Sequence, residues 1–106
     1  MLIHAGALRD GAHLLTGGKA AQGPGLERGW FIEPTIFGDV RNDMPVAQQE
    51  IFGPVLSIIP FDTEDEAIAI GNRSDYGLDA GVWTTNVSRA LRVSREIRAG
   101  MVWVNT

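Results

Sequence analysis

Apolar residues in this chain come in short runs separated by glycine, proline and acidic corners, so the hydrophobic pattern reads as many brief elements. Leu2 to Gly11 reads as the tail of a helix, with Ala5, Ala7 and Leu8 as helix formers and Asp10-Gly11 as its stop. Met1 stands directly before the apolar pair Leu2-Ile3 with no capping residue, the pattern of a chain that starts partway through an element. Ala12 to Thr16 is a short strand closed by Gly17-Gly18, and Lys19 to Gly29, rich in glycine, is a long loop. Trp30-Phe31-Ile32 and Thr35-Ile36-Phe37 are β-prone and interrupted by Pro34, which predicts an extended, partly edge segment ending near Gly38-Asp39. Asp43 is placed to cap a short helix from Met44 to Gln49, with Pro45 tolerated in its first turn.

The second half of the chain is more regular. Val55 to Phe61 reads as a strand, and Thr63-Glu64-Asp65-Glu66 has the form of a capping box opening a helix to about Asn72. Asp75-Tyr76-Gly77 is a turn and Gly81 to Thr84 a strand. Asn86 opens a second helix, in which Val87, Ala90, Leu91, Ser94 and Ile97 keep near-helical spacing. Gly100 stands where a C-cap glycine belongs, and Met101 to Val104 is an apolar run of strand length. Strands alternating with helices from Val55 onward predict an α/β fold, a largely parallel, buried sheet with right-handed crossover helices.

Composition narrows the function. At 106 residues the chain is one domain's worth at most; a chain of that size buries about two thirds of its extended surface on folding. Nine basic against thirteen acidic residues give a net charge of −4, without blocks of one sign, which argues against nucleic acid or an anionic membrane as partner. The arginines at 89, 92, 95 and 98 read as a solvated helix face, because no aromatic residues interleave with them. No run approaches the roughly 20 apolar residues that span a bilayer, and the N-terminus has neither the basic flank nor the apolar core of a signal peptide, so a cytoplasmic location is expected. The cysteine count is zero. Disulfides, thiolate metal sites and a cysteine nucleophile are therefore excluded from this chain. His13 has no second ligand at metal spacing and reads, like His4, as a strand-edge or surface histidine. Gly23-Pro24-Gly25 lacks the strand before it and the helix after it that a phosphate loop needs.

The chemistry concentrates in Glu50-Ile51-Phe52-Gly53-Pro54-Val55, where an acid, an aromatic ring and a Gly-Pro corner stand at the entrance to a strand. A carboxylate at a sheet edge can accept two hydrogen bonds from a vicinal diol such as a ribose. A phenyl ring two residues on can pack against a flat heterocycle. The residues by themselves leave a plainer alternative open: Glu50 solvated, Phe52 in the core and Gly53-Pro54 a simple turn.

Ala47 to Val55 resembles the Glu-Ile-Phe-Gly-Pro signature of the aldehyde dehydrogenase superfamily. The likeness extends upstream to Leu14-Leu15-Thr16-Gly17-Gly18 and to Gly29 through Ile36. Downstream it takes in Glu66-Ala67-Ile68, Asn72, Tyr76-Gly77-Leu78 and Ala99 through Asn105. It implies that residues 1–106 are part of the catalytic domain of an enzyme that oxidises an aldehyde to a carboxylic acid with NAD or NADP. In that family a cysteine thiolate adds to the carbonyl, hydride passes to the nicotinamide, and a glutamate base assists thioester hydrolysis. The likeness assigns Glu50 to the nicotinamide-ribose hydroxyls and Phe52 to the neighbourhood of the nicotinamide; the parent is expected to be a homo-oligomer. The catalytic cysteine, its general base and the nucleotide-binding domain have no counterpart here, nor do the glycine-rich segment and the oligomerisation strand that follow this point in the family. No turnover is therefore expected of the chain alone. Gln49 stands where many members carry a second glutamate, and Gly71 replaces a usual alanine at a cost of about 1 kcal/mol or less in helix propensity. The alternative of a different class is a non-catalytic α/β module that binds a ligand or a partner chain through exposed strand edges; a purely structural piece is the third.

Overall fold

Phe37, Val40 and Met44 are at most 2 % exposed and, with Ala7, Ala12 and Val46, form the core of the first half of the chain. The computed structural model describes residues 2–106, which divide after Pro60 into two units. Met1, and with it the reading of how the first helix opens, lies outside the described residues.

The first unit contains α1 (Leu2–Arg9), β1 (His13–Thr16), β2 (Thr35–Gly38), α2 (Pro45–Gln48) and β3 (Val55–Ser57). The sheet order is β1-β2-β3, with β1 antiparallel and β3 parallel to β2. The segment expected at an edge is thus the central strand. Pro34 precedes the strand, so it removes no ladder donor, and Thr35, Phe37 and Gly38 are buried. The 19–29 loop rests on a short antiparallel ribbon, in which Ala21 N–H donates to the Phe31 carbonyl and Glu33 N–H to that of Lys19.

Two boundaries differ from expectation. The N-cap of α2 is Met44, without a side-chain cap, and the Asp43 carboxylate instead accepts from Arg41 Nε at 3.2 Å. Strand pairing of β3 ends at Ser57, not Phe61. Two further bonds, Ile58 N–H to the Phe37 carbonyl at 2.8 Å and Val40 N–H to the Ile58 carbonyl at 3.2 Å, flank Asp39, whose φ of 52° turns β2 away, and Pro60 offers no N–H.

The second unit contains α3 (Glu64–Asn72), β4 (Asp79–Val82), α4 (Val87–Glu96) and β5 (Met101–Val104). β4 and β5 pair in parallel, Asp79 opposite Met101 and Val82 opposite Val104. Two of the three strand pairings among the described residues are therefore parallel, and β4-α4-β5 is a crossover unit. The fold is α/β, carried on two sheets. Ala80, Val82, Val102 and Val104 are half-buried on the face that α4 packs against, while Gly81, Met101 and Trp103 on the other face are exposed. The burial expected of the sheet from the apolar runs is thus only partial in β4 and β5, while β2 in the first unit is buried. β4 also begins two residues earlier than expected.

The capping signals act as read. Thr63 Oγ1 accepts from Glu66 N–H at 3.1 Å, and Glu66 Oε2 reaches back to Asp62 N–H at 2.8 Å. Asn86 Oδ1 accepts from Arg89 N–H at 3.0 Å. Gly100, however, caps nothing: α4 ends at Glu96 with Ile97 as its C-cap, and Gly100 N–H donates to the Gly77 carbonyl at 2.8 Å. A glycine serves there by close approach, since a Cβ would stand 3.1 Å from the Leu78 carbonyl oxygen. The end of α4 is held instead by Asn72, which donates to the Glu96 carbonyl and accepts from Arg98 N–H. The arginines at 89, 92, 95 and 98 are exposed, as the solvated-face reading expects, and three of them also make polar contacts along that face. Arg89 and Arg92 both bind Glu64, Arg92 also binds Asp65 and Glu96, and Arg98 donates to the Asn72 carbonyl.

Candidate functional site

Pro45 starts α2 without wasting a donor, and the helix lasts only to Gln48. Gln49 N–H donates to the Pro45 carbonyl at 2.9 Å while its backbone is already extended, at φ −103° and ψ 139°. From there side chains alternate in direction. Ile51 packs against the core with Ala47 and Val55, and its neighbours Glu50 and Phe52 are exposed.

Two bonds fix the corner that follows. Val55 N–H donates to the Gly53 carbonyl at 2.8 Å, closing a tight turn around Pro54, and Thr35 N–H donates to the Pro54 carbonyl at 2.8 Å, tying the turn to β2. Phe52 sits at φ 56°, a left-handed conformation that bulky side chains rarely adopt, and its side chain is 93 % exposed. The reading of Phe52 as a core residue is therefore overturned; Gly53-Pro54 is a turn on either reading. Glu50 makes no hydrogen bond or ion pair among the described residues, so its carboxylate keeps its acceptor capacity. The turn thus presents an unengaged carboxylate and an exposed phenyl ring two residues apart, with the side chain between them anchored inward. Such an arrangement suits a ligand with a diol and a flat ring, without rearrangement of the core.

The residue that positions the turn and was missed from the sequence is Thr35. It is 4 % exposed, and its hydroxyl accepts from Gly18 N–H and donates to the Glu33 carbonyl, both at 2.8 Å. The available signal was a hydroxyl residue opening an otherwise apolar strand directly after Pro34. The histidines stand apart from this stretch. His13 Nδ1 lies 2.7 Å from Asp39 Oδ2 at the surface. His4 is not a surface residue as expected: its ring packs on Phe37 with centroids 5.7 Å apart, and its Nε2 is buried with no hydrogen-bond partner among the described residues. Among the described residues no cluster suited to a metal ion forms, and no helix is long and apolar enough to cross a membrane.

Comparison with known proteins supplies the family. The model of the aldehyde dehydrogenase family matches residues 3–106. A betaine aldehyde dehydrogenase of Vibrio vulnificus is 53 % identical over 100 residues, covering 94 % of this chain and 21 % of that protein. Among solved structures, an indole-3-acetaldehyde dehydrogenase complexed with NAD+ superposes with a TM-score of 0.91 at 51 % identity, covering 97 % of this chain and 20 % of that one. A 3,6-anhydro-L-galactose dehydrogenase in complex with NADP has a TM-score of 0.91 at 41 % identity, covering 98 % of this chain and 22 % of that one. The chain spans about one fifth of the length of these relatives. With nearly every residue matched by the family model, this chain belongs to the aldehyde dehydrogenase family.

Proposed function

We propose that residues 1–106 are part of the catalytic domain of an NAD- or NADP-dependent aldehyde dehydrogenase, and that Glu50 and Phe52 supply its contacts to the nicotinamide-ribose end of the cofactor. The whole enzyme oxidises an aldehyde to a carboxylic acid, in the cytoplasm, as a homo-oligomer. When bound, the cofactor accepts the hydride. Glu50 orients the ribose by accepting hydrogen bonds from its hydroxyls, and Phe52 gives the heterocycle an apolar surface. The observation that carries this reading is the outward projection of both side chains from a turn that is pinned at Ile51 and Pro54. The two relatives solved with NAD+ and NADP support the choice of cofactor. The chain contributes no cysteine, so the covalent step needs a nucleophile from elsewhere in the enzyme. The alternative of a free-standing binding module has only the exposed strand edges in its favour.

The test is titration of NAD+ into the chain and into its Glu50→Gln variant, followed by calorimetry and by amide NMR shifts. One carboxylate and one exposed ring predict weak binding, with Kd on the order of 1 mM or above, shifts centred on residues 49–55, and a severalfold loss in the variant. Equal binding by both proteins, or shifts confined to other residues, sinks the assignment. NAD+ with an aldehyde should produce no NADH.

A further inference from the structure

β2 lies between β1 and β3, so its first residue, Thr35, has the corner that follows β1 on one flank and the turn that precedes β3 on the other. It bonds to both. Its hydroxyl accepts from Gly18 N–H at 2.8 Å, and its backbone N–H donates to the Pro54 carbonyl at 2.8 Å. The hydroxyl hydrogen goes to the Glu33 carbonyl, also at 2.8 Å, across Pro34. Thr35 is 4 % exposed, so water does not compete for these groups. The Gly18 end has no slack, because a Cβ there would stand 2.5 Å from the buried His4 Nε2.

The Pro54 end carries the strained residue. Phe52 keeps its φ of 56° although its side chain, 93 % exposed, gains little from packing. A bulky residue persists in that conformation only where its surroundings over-determine it. Two holds are present: Ile51 in the core on one side, and the Pro54 carbonyl bonded to Thr35 on the other. The second is only as firm as the direction of the Thr35 N–H, which the two hydroxyl bonds set. Without the hydroxyl, Gly18 N–H and the Glu33 carbonyl lose their partner and the start of β2 loosens. Phe52 is then free to return to the extended region that its side chain prefers.

We propose that Thr35 is a positioning residue of the turn that carries Glu50 and Phe52: its hydroxyl couples the Gly17-Gly18 corner on one flank of β2 to Pro54 on the other, and so fixes the direction of the Phe52 ring. The effect on the cofactor rests on the assignment of Glu50 and Phe52 to the nicotinamide-ribose end. The hold on the Phe52 backbone does not.

The experiment compares Thr35→Val, which keeps the shape of the side chain and removes the hydroxyl, with Thr35→Ser, which keeps the hydroxyl. In the free chain a positive φ gives Phe52 a strong NMR cross-peak between its own amide and Hα protons. That peak should weaken in Thr35→Val and persist in Thr35→Ser. NAD+ affinity, followed by amide shifts, should fall about fivefold in the valine variant, the equivalent of one hydrogen bond, and hold in the serine variant. In a Phe52→Ala background Thr35→Val should cost little further affinity, a result that general loosening of the fold does not produce. Coupling is reciprocal, so saturating NAD+ should slow exchange of the Gly18 amide in the unaltered chain, a readout that remains if Thr35→Val does not fold. An unchanged Phe52 cross-peak in the valine variant, an equal loss of affinity in the Phe52→Ala background, or a Gly18 amide indifferent to bound NAD+ overturns the proposal. A chain that binds no NAD+ while its Phe52 cross-peak still responds to Thr35→Val sinks the cofactor assignment and supports the hold on Phe52.

Discussion

The side-chain amide of Asn105 pairs with both backbone groups of Thr84: Oδ1 accepts from Thr84 N–H and Nδ2 donates to the Thr84 carbonyl, each at 2.9 Å. The backbone N–H of Asn105 meanwhile donates to the Val82 carbonyl at 3.0 Å. The amide thereby prolongs the β4–β5 ladder beyond Val82 and Val104, where the backbone of β5 has turned away at φ 55°. Asparagine suits the place because its short polar side chain tolerates that conformation.

Asn105→Ala removes both bonds and keeps the unfavourable φ, so it should destabilise the second unit by about 1–2 kcal/mol. Asn105→Asp retains the acceptor and loses the donor, and should fall between wild type and alanine. Urea unfolding followed by amide NMR resolves the two units; an alanine variant as stable as wild type would contradict the assigned role.

Glu64 makes the link between α3 and α4 dependent on acid. The hydrogen bond from Arg89 holds its carboxyl below the ordinary value of 4.5, partial burial opposes this, and the Arg92 charge adds to it. A lowered folded value means that the interaction contributes fully above 4.5 and is lost as pH falls further, through the folded value. Melting of wild type should therefore decline more steeply in acid than melting of Glu64→Gln. The two curves should converge as pH falls, and added salt should narrow the gap because these side chains are solvent-accessible. Parallel curves from about pH 6 to about pH 3 would show that the pair contributes nothing.

The legible parts of this chain are those set by local chemistry. Thr63 and Asn86 announce their helices because a cap is satisfied within four residues, and the turn at Gly53-Pro54 is equally local. Placement across the sheet was not legible. Pro34 suggested an edge, yet Thr35 to Gly38 is central, since a proline just outside a strand removes no ladder bond. Gly100 looked like a helix stop because its requirement comes from the distant Leu78 carbonyl, which no local pattern encodes. At the site, the signature residues were identified from family resemblance, while the exposure of Phe52 depends on Ile51 reaching the core and Thr35 holding Pro54.

Gly17 shows how little freedom the corner after β1 has. It lies at φ 75°, and a Cβ would stand 2.2 Å from the Pro34 carbonyl oxygen and 2.7 Å from Thr35 Oγ1. The nearest clash is with the backbone of Pro34, just before the central strand, so it cannot be relieved by a rotamer change. Gly17→Ala should cost on the order of 3 kcal/mol and unfold the first unit selectively in amide exchange. A loss below about 1 kcal/mol would mean that the corner relaxes at little cost.

Phe52 separates binding from stability. Its side chain is 93 % exposed, so removing the ring forfeits little burial, and its φ of 56° is one that glycine adopts without strain. Phe52→Gly should therefore leave the unfolding free energy unchanged or raise it by up to about 1 kcal/mol, whereas a ring buried in the core would cost about 3–5 kcal/mol on truncation. If the ring supports the nicotinamide end of the cofactor, the same variant weakens NAD+ binding while the fold holds. Phe52→Ala distinguishes the causes, since it removes the ring but keeps the strained conformation: its binding should match that of the glycine variant and its stability should lie below it. Loss of stability without loss of NAD+ binding would reverse the assignment, making Phe52 a structural residue of the turn.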